Sequence, residues 1–152
     1  MKKLTVFILS LFMMLMVGSQ SVLANNRIDA SAAIMADAST GQIIYKQNVD
    51  KALPVASITK LLTILVIEDE IQQKQLSWDT QVKITPEIAA ISNDAAYSSI
   101  GLKSGQSYSV RTLINAALVK SADGATVALA TATGDGTDEF NLKMMQKAKK
   151  IG

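Results

Sequence analysis

The sequence predicts a mixed fold of α-helices and β-strands, in which a hairpin precedes a buried helix and then further helices. Two short apolar segments, Ala32 to Ala36 and Gln42 to Tyr45, flank a turn that contains Gly41. This pattern is typical of a β-hairpin whose turn needs a positive φ. The segment from Ser57 to Gln72 lacks Gly and Pro, and its apolar residues point in nearly every direction. A helix that is apolar all round is buried.

The rest of the second half of the chain is predicted to be mostly helical. Helix starts are indicated at Pro86, Ser109 and Thr137, because Pro is favoured at a first helical position and Ser or Thr at an N-cap. A small-residue helix over Ala125 to Thr133 is expected after a break at Ser121 to Gly124. Since one hairpin beside a helical cluster leaves two sheet edges with few partners, further strands are expected after residue 152.

The first 24 residues predict an export signal. Lys2 and Lys3 give a positive start, Leu4 to Gly18 is an apolar run, and Val22-Leu23-Ala24 supplies small residues suited to cleavage. The apolar run is shorter than the roughly 20 residues that span a bilayer, which favours a cleaved signal over a permanent anchor. The mature chain would then begin at Asn25.

The composition excludes several kinds of protein. The chain has 15 basic and 13 acidic residues. Removal of Lys2 and Lys3 with the signal balances the charges, so no basic face for a nucleic acid is expected. The absence of Cys and His excludes a Cys/His zinc site and a Ser-His-Asp triad. No metal or other cofactor is indicated, and Lys is the main candidate for a base in any nucleophilic catalysis.

Ser57 and Lys60 form the first candidate pair. A spacing of three residues places both side chains on one helical face, one turn apart. The helix N-terminus disfavours a charged amine, and its free N–H groups can stabilise an oxyanion. The alternative is that Ser57 caps the helix and Lys60 extends to solvent. The pair alone does not decide between the two interpretations, because Ser-x-x-Lys is a common sequence.

Three other polar segments could belong to a functional site or could have ordinary structural roles. Ser121-Ala122-Asp123 lies in a predicted helix break and could project into a cleft, although capping of the next helix is the ordinary role of such residues. Lys103-Ser104-Gly105 resembles a Lys-Thr/Ser-Gly site, but it lies in the stretch 92 to 108, which is predicted to be irregular, and a solvated turn accounts for it better. The acidic run Glu68 to Glu70 is interpreted as a solvated helix end.

Three segments, in this order, resemble the D-alanyl-D-alanine carboxypeptidases of the penicillin-binding-protein family. They are an opening hairpin, a nucleophile segment and a second-motif segment, found here at Ala36 to Gln42 with Tyr45, at Leu53 to Leu61, and at Val110 to Ala125. The resemblance covers essentially all of the mature chain. It implies a β-lactamase/transpeptidase-like fold, which combines a sheet with a helical subdomain.

The resemblance also implies a serine acyl-transfer mechanism. Ser57 would attack the bond between two D-alanines of a peptidoglycan stem peptide, with Lys60 as its base and Ser121 assisting proton transfer. Asp123 would be a substrate-binding residue beside Ser121 in the cleft. The terminal D-Ala leaves, water hydrolyses the acyl-enzyme, and penicillins and other β-lactams acylate the same serine. Such a protein is exported, extracellular or periplasmic, and meets a membrane only through export or a C-terminal anchor.

Two departures from the family pattern affect these expectations. The second motif is usually Ser-x-Asn, whereas Asp123 only accepts hydrogen bonds and adds a negative charge that favours a protonated Lys60. The third motif, Lys-Thr-Gly, lies in the family on a strand beyond residue 152. Residues 25 to 152 are therefore expected to be a partial catalytic domain, truncated before the closing strands. The alternatives are an inactive remnant or non-catalytic module of this fold, and a class A-like β-lactamase, which would need a deacylating Glu downstream.

Overall fold

The computed structural model describes residues 27 to 152. The predicted export signal, residues 1 to 24, lies outside the described residues. The described residues divide into two compact units, whose boundary falls between Leu53 and Pro54. In the part of the chain that the model describes, no helix is both long and apolar enough to cross a bilayer.

The first unit contains the predicted β-hairpin, formed by the antiparallel strands β1 (Ala33–Ala36) and β2 (Ile43–Gln47). Gly41 has a φ of +73°, which confirms the conformation expected for the turn. The turn is organised by Asp37, whose Oδ1 accepts hydrogen bonds from the backbone N–H and the hydroxyl of both Ser39 and Thr40, at 2.6 to 3.0 Å. These bonds, led by the one from the Ser39 hydroxyl, lower the pKa of Asp37 to about 2.

The second unit contains five α-helices and a second two-stranded sheet. A 3₁₀-helix (Ala56–Ile58) precedes the elements, which are in order α1 (Thr59–Gln72), β3 (Gln81–Lys83), α2 (Pro86–Asn93), β4 (Ser107–Ser109), α3 (Val110–Lys120), α4 (Asp123–Ala132) and α5 (Thr137–Ile151). β3 and β4 pair antiparallel, with Val82 opposite Tyr108. The prediction that residues up to 108 are irregular was wrong for β4, because this three-residue polar strand exists only through its pairing with β3.

The helix starts confirm some of the predicted caps and correct others. Pro86 occupies the first position of α2, and the Ser109 hydroxyl accepts a hydrogen bond from the N–H of Thr112 at the start of α3, both as predicted. The prediction of Thr137 as an N-cap was wrong, because Gly136 holds the cap position of α5 and Thr137 is the first helical residue. α4 begins at Asp123, two residues earlier than expected.

The core of the second unit lies where the apolar sides of its helices meet the short β3–β4 sheet. The largest fully buried apolar side chains belong to Ile67, Ile84, Leu102, Val110, Leu113 and Leu129. α1 supplies Ile67 and also presents Leu61, which is 51% exposed, so the prediction that this helix is buried on every side was wrong. The other elements of the second unit leave the Leu61 side of α1 uncovered.

The acidic end of α1 is paired rather than solvated, which corrects its predicted role. Lys143 of α5 lies 2.8 Å from Glu70 and also pairs with Asp135, and Lys147 lies 2.7 Å from Asp69. The Lys143 hydrogen bond lowers the pKa of Asp135, and Asp135 followed by Glu70 raises the pKa of Lys143. These ion pairs fasten α5 to α1.

Gly124 allows α4 to approach α2 closely. A Cβ added to Gly124 would lie 2.6 Å from the Cβ of Ser92, a distance that cannot be accommodated without movement. Ser92 is itself buried, and its hydroxyl accepts a hydrogen bond from the N–H of Leu102 at 2.9 Å. The absence of a side chain at Gly124 therefore lets the helix turn that carries Asp123 pack directly against α2.

We expect Gly124→Ala to lower the free energy of unfolding by about 1–3 kcal/mol, because the added methyl group overpacks the contact with Ser92. Gly136→Ala is the control: its Cβ would meet nothing within 4 Å and its φ is already −72°. That change should cost less than about 1 kcal/mol at a helix N-cap. Urea unfolding of the two variants measures the difference, and equal losses would contradict the close contact.

The Asp37 turn should respond to acid. Because the folded pKa of Asp37, about 2, lies below its ordinary 3.8, its bonds stabilise the hairpin above pH 3.8. This contribution is lost as the pH falls from 3.8 through about 2. An NMR titration that follows the Ser39 and Thr40 amides should give a midpoint near 2 for the Asp37 carboxylate, and a midpoint close to 3.8 would mean that these bonds do not persist in solution.

Candidate active site

Ser57 lies at an exposed bend immediately before α1. It is the middle residue of the 3₁₀-helix Ala56–Ile58, and the N-cap of α1 is Ile58, with no side-chain cap. The alternative interpretation, in which Ser57 caps the helix, was therefore wrong, and its hydroxyl is free for another role. Ala56 has a φ of +44°, a conformation that residues with a Cβ rarely adopt and that costs energy. The strained residue therefore lies directly before Ser57.

Lys60 lies one helical turn further on, with its amine directed back towards Ser57. The Nζ atom is 3.4 Å from the Ser57 Oγ, as the spacing in the sequence predicted. The Lys60 side chain is only 10% exposed, so it does not extend to solvent as the alternative interpretation required. A nearly buried amine must find hydrogen-bond acceptors, because burial without them is costly.

Ser121 supplies two of those acceptors. It ends α3 in the left-handed conformation, with φ 52° and ψ 33°. This turn directs both its carbonyl oxygen and its hydroxyl at Lys60, whose amine donates to the carbonyl and lies 2.8 Å from the Oγ. The N-cap of α4 is the fully buried Ala122, which makes no side-chain cap bond. Helix capping, the ordinary role of such residues, therefore does not account for Ser121 or Asp123.

Asp123 completes the set from the first turn of α4. Its Oδ1 lies 3.0 Å from the Lys60 Nζ, so the expected ion pair is present. Its Oδ2 accepts a hydrogen bond from the backbone N–H of Ser98 at 3.0 Å, and its own N–H donates to the Ser98 carbonyl at 2.9 Å. Sequence reasoning missed Ser98, and no residue pattern could have indicated it, because both of these contacts use the Ser98 backbone.

Three of the four predicted residues open on a cleft of about 650 Å³. Ser57, Lys60 and Asp123 line it, together with Tyr97 and Ser98 from the loop that follows α2. The volume is within the range of about 300–1,000 Å³ that small-molecule sites occupy. Ser121 is not among the residues that line the cleft, and it reaches the site only through its contacts with Lys60.

The segment Lys103-Ser104-Gly105 does not line this cleft. Gly105 has a φ of +80° and donates its N–H to the Ile84 carbonyl at 2.9 Å, and Gln106 donates to the Lys103 carbonyl at 3.2 Å. Lys103-Ser104-Gly105 is therefore the exposed turn that the sequence indicated. In residues 27 to 152 no group of three or more Asp, Glu, His or Cys side chains is arranged to hold a metal ion.

Solved structures that resemble this chain include a D-alanyl-D-alanine carboxypeptidase and several penicillin-binding proteins. The D-alanyl-D-alanine carboxypeptidase DacD of Francisella tularensis superposes with a TM-score of 0.76 at 36% identity, over 85% of this chain and 30% of that one. Penicillin-Binding Protein D2 of Listeria monocytogenes, in its cefotaxime-bound form, superposes with a TM-score of 0.70 at 32% identity, over 84% of this chain and 49% of that one. These likenesses confirm the mixed, transpeptidase-like fold.

Sequence comparison gives the family. A family model described as D-alanyl-D-alanine carboxypeptidase matches residues 19–152, so this chain belongs to the D-alanyl-D-alanine carboxypeptidase family. A curated relative, the D-alanyl-D-alanine carboxypeptidase DacD of Salmonella typhimurium, is 33% identical over 126 residues, which are 82% of this chain and 32% of the relative. The chain spans about a third of the length of the curated relatives it matches.

Proposed function

We propose that this chain forms the nucleophile-bearing part of a serine-type D-Ala-D-Ala carboxypeptidase, which removes the terminal D-Ala of peptidoglycan stem peptides. One observation carries the proposal: the Lys60 amine lies 3.4 Å from the Ser57 hydroxyl and 2.8 Å from that of Ser121, at the wall of an open cleft. Membership of the D-alanyl-D-alanine carboxypeptidase family supports the substrate class.

The proposed reaction proceeds through an ester on Ser57. The Ser57 oxygen attacks the carbonyl carbon of the penultimate D-Ala, and its proton passes to the neutral amine of Lys60. The C–N bond then breaks, the departing D-Ala amine takes a proton through Lys60 and Ser121, and the acyl group stays on the serine. Water hydrolyses the ester and restores Ser57. A β-lactam follows the first half of this course, because its ring amide is attacked in the same way.

The Lys60 environment sets a condition on this mechanism. A base must direct a lone pair at the Ser57 hydroxyl, whereas the amine here donates to the Ser121 carbonyl and lies 3.0 Å from the Asp123 carboxylate. An opposite charge at this distance favours the protonated amine. We therefore propose that Asp123, in place of the family's Asn, slows the acylation step without preventing it.

Family membership favours a carboxypeptidase over a β-lactamase, because the matching family model is described as D-alanyl-D-alanine carboxypeptidase. Fast hydrolysis of a penicilloyl ester needs a carboxylate that activates water beside the serine. Asp123 lines the cleft but is not available for this role, because both of its oxygens already have partners in Lys60 and Ser98. For a carboxypeptidase we expect the acyl-enzyme formed with a penicillin to be long-lived.

We also propose where in the cell the protein acts. Residues 1 to 24 would be the export signal and residues 25 to 152 a partial catalytic domain, so the protein would act outside the cytoplasm, in the periplasm or beyond. Its partners would be stem peptides ending in D-Ala-D-Ala and β-lactams as acylating inhibitors. The cefotaxime-bound form of the Listeria monocytogenes relative supports the second of these.

The purified chain should form a covalent band with a fluorescent penicillin. Ser57→Ala should reduce the labelling rate by at least about 10³-fold, because the nucleophile is lost. Ser104→Ala is the matched control, since Ser104 is an exposed serine in the turn outside the cleft, and it should label like the parent. An absent band from a folded parent chain would favour the non-catalytic alternative, and rapid turnover of the penicillin would favour a β-lactamase.

Asp123→Asn should raise the limiting acylation rate at saturating penicillin by about tenfold, which corresponds to about 1.4 kcal/mol in the barrier. The reason is that the neutral amide no longer stabilises a positive charge on Lys60. Stopped-flow or quench measurements of penicilloyl formation give this rate constant separately from the half-saturating concentration. An unchanged rate constant would show that the Asp123 charge does not limit acylation.

A further inference from the structure

The contact between Asp123 and Ser98 joins the catalytic helix turn to the loop of residues 94–101. The two bonds are reciprocal: the Ser98 N–H donates to the Asp123 Oδ2 at 3.0 Å, and the Asp123 N–H donates to the Ser98 carbonyl at 2.9 Å. Only the first of them depends on the side chain at position 123. We call this pair of bonds the Asp123–Ser98 clamp.

The chemistry of a carboxylate explains why one side chain can hold both Lys60 and the loop. Asp123 offers Oδ1 to the Lys60 amine and Oδ2 to the Ser98 N–H, and both partners are donors. An amide at position 123 has a single acceptor oxygen, so its NH₂ group would face either the Lys60 amine or the Ser98 N–H, donor against donor. The departure from Ser-x-Asn therefore has a structural consequence besides its charge.

The clamp acts on the part of the loop that borders the cleft. Tyr97, next to Ser98, lines the cleft with Ser57, and its ring is about half exposed. The far end of the loop is held separately, because the Ser99 hydroxyl donates to the Ser92 carbonyl on α2. The bonds to Asp123 are thus the described contacts that tie the Tyr97–Ser98 segment to the side of the cleft where Lys60 lies.

We infer that Asp123 is a positioning residue for ligand binding: through the Asp123–Ser98 clamp it holds Tyr97 as a wall of the cleft. A fixed aromatic ring offers a flat apolar surface to the side group of a bound stem peptide or to the acyl side chain of a penicillin. This inference rests on the proposed function for the identity of the ligand. The clamp itself does not depend on catalysis.

Hydrogen exchange tests the clamp without any ligand. Asp123→Asn should increase amide exchange of Ser98 by at least about tenfold, because the single amide oxygen should face the Lys60 amine, the stronger donor, and leave the NH₂ group opposite the Ser98 N–H. Asp94→Asn is the matched control in the same loop. Its Oδ1 accepts one bond, from the Ala96 N–H at 2.8 Å, which an amide oxygen can also accept. Unchanged exchange of Ser98 in Asp123→Asn would overturn the clamp.

A double-mutant cycle tests what the clamp positions. Binding of a fluorescent penicillin is measured by anisotropy in the Ser57→Ala background, so that no covalent step contributes. Tyr97→Ala should raise the Kd about fivefold when residue 123 is Asp and less than about twofold when it is Asn, because residues that act together are not additive. Equal effects in both backgrounds, or no binding to any variant, would overturn the positioning role.

The two tests separate this inference from the proposed function. Loss of covalent labelling in the parent chain, together with faster exchange in Asp123→Asn and a coupled cycle, would reject the carboxypeptidase proposal and retain the positioning role. Normal labelling with additive effects in the cycle would do the reverse.

Discussion

The candidate site depends on the amine of Lys60 being held in one place. The side chain is nearly buried, and three acceptors, two from Ser121 and one from Asp123, surround its nitrogen next to the Ser57 hydroxyl. A buried amine without such acceptors would be costly, so the surrounding groups determine where it rests. Because α1 supplies Lys60 while the α3–α4 junction supplies its acceptors, the packing of these helices sets the distance over which a proton can pass.

Strained backbone conformations occur next to Ser57 and at Ser121, which contacts Lys60. Four non-glycine residues have positive φ in the described part of the chain, and two of them are Ala56, before the nucleophile, and Ser121, behind Lys60. Each such conformation costs about 1–3 kcal/mol and persists only where the surrounding structure enforces it. For Ser121, the surrounding structure includes the Lys60 amine, which contacts both its carbonyl and its hydroxyl. The core of the second unit thus stabilises a geometry that the local sequence would not adopt alone.

The sequence was informative where a local rule decides the structure. The spacing of Ser57 and Lys60, the Ser109 cap and the Gly41 turn all follow from short-range geometry, and the structure contains each of them. It was uninformative where a contact depends on distant chain segments. The pairing of Glu70 with Lys143 and the backbone contacts of Ser98 are of this kind, because neither partner carries a pattern that identifies the other.

The most direct test of the account is a crystal structure of this protein that resolves the Lys60 side chain. We expect the Nζ atom to lie within hydrogen-bond reach of the Ser57 Oγ, near 3.4 Å, and in contact with Ser121 and Asp123. An amine turned to solvent, or a Ser57 hydroxyl on the opposite face of the helix, would contradict it.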